Sequence, residues 1–155
     1  MARTNIFISY SHKDKKWLNR LLVHLKPLQV AGITDVWADT KIDPGQQWRD
    51  EIKDALAETK VAILLVSIDF INSDFIATNE LPPLLKAAEE DGVLILQVIV
   101  GPCQKRFKKT ALLEQFQTFN KSEVPLSKMS TNEREELWDR LADGIEDFLK
   151  AAPNP

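Results

Sequence analysis

The sequence predicts an α/β domain in which helices are wound around both faces of a parallel sheet. Two observations predict this class. Short apolar, β-branched runs alternate along the chain with segments whose apolar residues recur at helical spacing. One run, Val61–Ser67, is apolar almost throughout, which is typical of a central parallel strand covered on both faces. Strands that alternate with helices form doubly wound parallel sheets.

Each short apolar run marks one strand, and the strand order follows from the class. In the flavodoxin-like, doubly wound sandwich the central parallel sheet has the order 2-1-3-4-5, with helices on both faces. We predict four strands and, in the poorly determined stretch from residue 102 to 126, a short helix and a fifth, short edge strand. The predicted strands are Asn5–Tyr10, Asp35–Ala38, Val61–Ser67, Val93–Val100 and, at the edge, Gln117–Phe119.

The helices are predicted from their periodicity and from their end signals. Ser11 with Asp14 predicts a capping box before the first helix, which Pro27 and Gly32 should end. A second helix is marked by Trp48, Ile52, Ala55 and Leu56, and a third runs to about Asp91. Ser130 with Glu133 predicts another capping box. The closing helix then has an apolar stripe of Leu137, Trp138, Leu141, Ile145, Phe148 and Leu149.

Composition bounds the classes of function. The 155 residues suit one domain, which we place at residues 1–150, with residues 151–155 as a linker stub from a longer protein. With 20 basic and 23 acidic residues the net charge is −3, so nucleic acid and anionic membranes are not indicated as partners. The apolar runs are shorter than a membrane span. A single cysteine, Cys103, suits a reducing compartment, so we expect a cytoplasmic protein, and no metal-ligand spacing is present.

The class also predicts where the function lies. In doubly wound sheets, ligands bind beyond the carboxyl ends of the strands, at the point where the strand order reverses. With the order 2-1-3-4-5 this point lies between the first and third strands. The segments that should meet there are Ser9–His12, Asp39–Trp48 and Ser67–Glu80.

Two common classes of protein with this architecture are excluded, because the chain lacks the residues that they require. A phosphate-accepting receiver domain needs an acidic pair after the first strand and an aspartate after the third, but the chain has Ser9-Tyr10-Ser11 and Ser67 at these places. A nucleotide-binding phosphate loop needs a GxGxxG or GxxxxGK[ST] motif, and neither occurs among only five glycines.

Three blocks of sequence, spread over roughly residues 5–100, carry a family resemblance. The first is FISYSHKD at Phe7–Asp14, and the second is VWADTKIDPG at Val36–Gly45, followed by Trp48. The third is the strand Val61–Ser67 with the segment that leads to Glu80-Leu81. In this order, the blocks resemble those of Toll/interleukin-1 receptor (TIR) domains of the bacterial kind.

The resemblance implies an activity and a set of site residues. Bacterial TIR domains of this kind cleave NAD⁺ at the nicotinamide–ribose bond with one glutamate, which by motif position is Glu80 here. NAD⁺ is then the substrate, and no cofactor or metal is implied. The resemblance also implies that activity follows self-association through TIR–TIR contacts and that the setting is bacterial immune defence. The implied substrate-binding residues are Tyr10, Ser11, Asp39, Asp43, Trp48 and Phe75.

Several of these residues have a second interpretation. A carboxylate at position 80, just before Pro82 and Pro83, is also favoured by the dipole of a helix that begins there. Trp48 is equally compatible with a core position, and Asp43 can simply initiate the Pro-Gly turn. Many family members have tryptophan four residues before the glutamate, whereas this chain has Ile76 there.

Two other functions remain open. Many TIR domains act only as scaffolds that assemble with other TIR domains, and such a domain needs no carboxylate at position 80. A transferase that processes nucleosides on a related sheet is the third possibility, and it would act on a nucleoside rather than on a dinucleotide.

Overall fold

The central sheet consists of parallel strands in the order β2-β1-β3-β4-β5, as the sequence predicts. The computed structural model describes residues 3–38, 53–73, 81–103, 117–120 and 124–151. Within these ranges the strands are β1 (Asn5–Ser9), β2 (Val36–Ala38), β3 (Thr59–Val66), β4 (Leu94–Ile99) and β5 (Gln117–Thr118).

Alternation along each strand sends side chains to two separate cores. In β3, Val61, Ile63 and Leu65 contribute to one apolar cluster, whereas Ala62 and Leu64 contribute to the other. All of these side chains are fully buried. Because both faces of the central strand are covered, its sequence is apolar without the polar alternation of a half-exposed strand.

Helices cover both faces of the sheet. The described helices are α1 (Lys15–Val30), α2 (residues 53–57), α3 (Ile68–Ile71), α4 (Leu81–Asp91) and α5 (Thr131–Ala151), and short 3₁₀ segments lie at His12–Asp14 and Leu126–Lys128. The α1 and α5 helices pack on one face, and α2, α3 and α4 pack on the other. In the parts of the chain that the structure describes, no helix is both long and apolar enough to cross a membrane.

The end of α1 differs from the prediction at Pro27, which lies inside the helix. Proline lacks an N–H group, so the carbonyl of Val23, one turn earlier, has no helical donor there. Val23 is 54% exposed, and water can serve a carbonyl on this side of the helix. The helix ends at Val30, and Gly32 follows with a φ of 74°, so the prediction for Gly32 is confirmed.

The capping box predicted for the closing helix is confirmed in both of its hydrogen bonds. The Glu133 amide donates to the Ser130 hydroxyl over 3.2 Å, and the Ser130 amide donates to the Glu133 carboxylate over 2.9 Å. Beyond this cap, four members of the predicted stripe are buried and two are half-buried. The buried ones are Leu137, Trp138, Leu141 and Ile145, and the half-buried ones are Phe148 and Leu149.

The last strand is short because a side chain replaces part of its ladder. Asn120 accepts a hydrogen bond from the amide of Ile99 over 2.7 Å. Its own amide group donates to the carbonyls of Ile99 and Val124, over 3.0 and 2.7 Å. These bonds satisfy the backbone of β4 where β5 has already ended, and they tie the chain that leads to α5 onto the sheet.

Candidate functional site

The carboxyl ends of β1 and β3 lie side by side where the strand order reverses. β1 pairs with β2 on one side and with β3 on the other, and Ser9 is level with Leu64. After β1 the chain enters the face that α1 covers, whereas after β3 it enters the opposite face. Diverging connections of this kind open the crevice in which α/β sheets bind ligands.

Tyr10 and Ser11 follow β1 directly at this edge. Tyr10 is 3% exposed and belongs to the apolar cluster under α1, with its ring 5.6 Å from the ring of His12. Ser11 caps the 3₁₀ segment, because its hydroxyl accepts a hydrogen bond from the Lys13 amide over 3.4 Å. Their role in substrate binding stays a prediction.

The capping box predicted for Ser11 and Asp14 is only half correct. Ser11 is a cap, but the carboxylate of Asp14 does not bond back to it. Asp14 is buried and instead accepts a hydrogen bond from the hydroxyl of Ser67, 53 residues away in the sequence. The local motif is overridden because the first turn after β1 faces the end of β3, where a hydroxyl donor is available.

Ser67 uses its hydroxyl twice. While it donates to Asp14, its oxygen accepts a hydrogen bond from the Phe70 amide over 3.1 Å and thereby caps α3. The backbone carbonyl of Ser67 also accepts from the Ile71 amide over 3.0 Å. A side chain added at Gly101, after β4, would come within 3.9 Å of the Ser67 Cβ. Ser67 therefore lies among the carboxyl ends of three neighbouring strands.

Burial sets the electrostatics of this cluster. It raises the pKa of Asp14 above its ordinary value, while the hydrogen bond from Ser67 lowers it and the charge of Asp69 raises it further. Burial also raises the pKa of the Cys103 thiol, with the negative charge of Asp14 as a second cause. Cys103 is thus kept as a thiol rather than as a reactive thiolate.

Ser9 places a buried hydroxyl at the same edge. Its side chain is fully buried, and its hydroxyl forms no hydrogen bond within the described part of the chain. Asp14, Ser67 and Ser9 were not predicted as site residues from the sequence. The signal that was available for Asp14 and Ser67 was their position immediately after β1 and β3.

The other predicted site residues lie outside the described residues. These are Asp39, Asp43, Trp48, Phe75 and Glu80. Two aromatic residues beside these segments are described: Phe70 is buried in the core, and the half-buried Trp37 stacks on Phe7 with ring centroids 5.1 Å apart.

The contact made by the last residue of α4 shows which way this helix runs. Asp91, its last residue, forms a 2.9 Å ion pair with Arg3 at the amino edge of the sheet, and Arg3 also donates to the carbonyl of Leu56. The helix therefore runs back along the strands and begins, at Leu81, toward their carboxyl edge. Pro82 and Pro83 occupy its first turn, as predicted, where no helical N–H is required.

Comparison with known proteins agrees with this architecture. A protein of Sinorhizobium fredii (strain NBRC 101917 / NGR234), named only as uncharacterized protein y4lF, is 28% identical over 99 residues. The match covers 64% of this chain and 31% of that protein, so the chain spans less than one third of its relative. The TIR domains of the activated Roq1 resistosome, which directly recognizes the pathogen effector XopQ, have a similar fold. The TM-score is 0.53 at 17% identity, covering 90% of this chain and 83% of that one.

A family model described as TIR domain matches residues 6–146, which is most of the chain. The matched range runs from β1 into the last turns of α5. The chain therefore belongs to the TIR domain family.

Proposed function

We propose that this TIR domain cleaves NAD⁺ at the nicotinamide–ribose bond, with Glu80 as its catalytic residue. One observation carries the proposal. The residue that follows Glu80 begins α4, and α4 runs from the carboxyl edge of the sheet to the ion pair of Asp91 with Arg3. This is the edge at which β1 and β3 end and at which sheets of this order bind ligands.

The proposed chemistry needs only one carboxylate. The bond between the ribose carbon and the pyridinium nitrogen breaks, and its electron pair leaves with nicotinamide. Positive charge then develops on the ribose, where a nearby carboxylate stabilises it. Water adds to the same carbon and loses a proton, which yields ADP-ribose, or a nucleophile of the same molecule adds to give a cyclic product.

The remaining candidates have proposed places around the substrate. Asp39 and Asp43 would hold ribose hydroxyls, together with Ser11 at the end of β1, whereas the buried Tyr10 would support this edge from beneath. Trp48 and Phe75 would offer aromatic surfaces to the departing ring. NAD⁺ is the substrate in this proposal, which requires neither a cofactor nor a metal ion, and the compartment is the cytoplasm.

Self-association is proposed to complete the site, in the setting of immune defence. The loop Asp39–Gln46 would close the crevice against a neighbouring TIR domain. We expect nicotinamide release to rise more steeply than in proportion to protein concentration, or to appear only when the domain is fused to an oligomeriser. Full activity in a demonstrated monomer would contradict this part of the proposal.

The decisive variant is Glu80→Gln, which keeps the shape of the side chain and removes its charge. If Glu80 stabilises the transition state, nicotinamide release should fall by about a hundredfold or more while NAD⁺ binding is retained. If Glu80 only interacts with the dipole of α4, Glu80→Gln should lower the free energy of unfolding by about 0.3–1 kcal/mol and leave turnover unchanged.

A matched control is Glu133→Gln, which removes a carboxylate from the first turn of α5. It should leave turnover unchanged. If the wild-type domain releases no nicotinamide even when it is forced to assemble, the scaffold function is correct and the proposal is wrong.

A further inference from the structure

We infer that Asp14 and Ser67 form a positioning pair, in which the carboxylate of Asp14 holds the Ser67 hydroxyl and so sets the direction in which the chain leaves β3 toward Glu80. The inference rests on the proposed function. Neither residue is proposed to touch the substrate: they are positioning residues, which act through the backbone between β3 and α4.

The geometry joins two connections that the sheet itself does not join. Asp14 ends the 3₁₀ segment after β1, and Ser67 is the first residue after β3. Their hydrogen bond is buried, with Asp14 8% and Ser67 4% exposed. A surface ion pair between Lys13 and Asp69, 3.6 Å long, links the same two connections. The turn after β1 is therefore held against the start of α3 at two consecutive positions.

Capping alone does not explain the carboxylate. To cap α3, Ser67 needs only its oxygen as an acceptor for the Phe70 amide. Ser130 caps α5 in the same way, and its acidic partner, Glu133, stays on the surface. The carboxyl of Asp14 is instead buried, which is unfavourable for a charged group unless a hydrogen bond offsets it. The buried bond to Asp14 therefore fixes the rotamer of the Ser67 hydroxyl, and with it the position of the first residue of α3.

The consequence for catalysis follows from the position of Ser67 in the chain. It precedes α3, and the segment from α3 to α4 ends in Glu80. A group that stabilises a transition state must be held within a fraction of an ångström, and a displacement of about 1 Å can lower the rate by about a hundredfold. Loosening the origin of this segment should therefore lower kcat more than it changes KM.

The test uses two disrupting and two conservative variants in the assembled 155-residue chain. Asp14→Ala and Ser67→Ala remove the hydrogen bond, whereas Asp14→Asn keeps an acceptor and Ser67→Thr keeps the hydroxyl. We expect the disrupting variants to lower kcat at least about tenfold with KM within about twofold, and the conservative variants to restore most of it. The double variant Asp14→Ala/Ser67→Ala should be no slower than Ser67→Ala alone, because Ser67→Ala already removes the bond that Asp14→Ala removes. Should Asp14→Ala fail to fold, Asp14→Leu, which fills a similar space without an acceptor, carries the test, because Ser67→Ala also removes the cap of α3.

A second measurement separates this inference from the proposed function. Hydrogen exchange at the amides of Phe70 and Ile71 reports on the start of α3 without any substrate. We expect faster exchange there in Asp14→Ala and no change in the control Glu133→Gln. If kcat stays within twofold of wild type in the disrupting variants, the inference is overturned although NAD⁺ cleavage stands. If wild type releases no nicotinamide, the proposed function fails, and exchange then decides whether the pair positions this segment at all: unchanged exchange overturns it.

Discussion

Two turns of this domain begin with the same sequence pattern and end in different structures. Ser11 and Ser130 are each followed, three residues later, by an acidic residue. At α5 the pattern closes on itself, with reciprocal hydrogen bonds between Ser130 and Glu133. After β1 the acidic residue, Asp14, turns away from Ser11 and accepts from Ser67.

The difference lies in what surrounds the turn. Ser130 and Glu133 are exposed, so the nearest partner of the carboxylate is the amide of its own turn. Asp14 is pressed against the carboxyl edge of the sheet, where water is largely excluded and a hydroxyl from another strand is present. A buried carboxyl takes the partner that satisfies it best, whether or not that partner is local. A capping motif therefore predicts a helix start better than it predicts the partner of its acidic residue.

The largest contrast should appear on truncation of the two acids. Asp14→Ala leaves the Ser67 hydroxyl buried without its acceptor, which should cost about 1–3 kcal/mol. In a domain of this size the melting temperature falls by about 2–4 °C for each kcal/mol. Glu133→Ala exposes its partner amide to water and should lower the melting temperature much less. Equal losses in differential scanning calorimetry would show that burial is not what distinguishes the two turns.

Loss of Ser130, the serine that caps α5, should lower the stability of the domain by an intermediate amount. Ser130→Ala removes the acceptor of the Glu133 amide at the start of α5, and loss of such a cap costs about 1 kcal/mol. We expect Ser130→Thr to keep most of this stability in urea unfolding at neutral pH. An Ser130→Ala variant as stable as wild type would mean that packing of the α5 stripe alone holds the first turn.

A smaller effect, opposite in sign at the two turns, should appear on changing the pH. The pKa of Asp14 is raised from its ordinary value of 3.8, so its contribution to stability is present below that value and is lost as the pH rises through the folded-state pKa. The pKa of Glu133 is lowered from 4.5 by hydrogen bonds with Ser130, so its contribution is present above 4.5 and is lost as the pH falls. Measured against Asp14→Asn and Glu133→Gln, the unfolding free energy of wild type should therefore change with opposite slopes. Slopes of the same sign would contradict the assignment for one of the two acids.

The smallest effect concerns an acid that has a distant partner but remains on the surface. Glu135 accepts hydrogen bonds from Arg20, which hold its pKa at about 2, and it lies 3.3 Å from His24. Water and salt screen exposed pairs of this kind. We expect Glu135→Gln to lower the melting temperature slightly at low ionic strength and not at all in about 1 M salt, where the screening length is about 3 Å. If the melting temperature of Glu135→Gln stays lower in high salt, Glu135 behaves like the buried Asp14 and not like the exposed Glu133.

Local patterns account for most of what the sequence predicted correctly. Apolar runs placed the strands, because the part of a strand that is covered on both faces has to be apolar, as Val61–Val66 of β3 are. Caps and prolines placed the starts of α4 and α5 within a residue, because the unpaired N–H groups of a first turn are satisfied locally. Pro27 was wrong as a helix end because a missing donor on an exposed side is tolerated, and exposure is a property of the packed helix.

The sequence by itself thus determined the order of the elements, the class of the sheet and the edge at which the connections after β1 and β3 meet. Only the tertiary structure decided that Asp14 is buried and that Ser67 is its partner. These two residues are 53 positions apart, and no local rule connects them. The partner of a polar side chain depends on which groups share its enclosure, and that enclosure exists only once β1, β3 and β4 lie side by side.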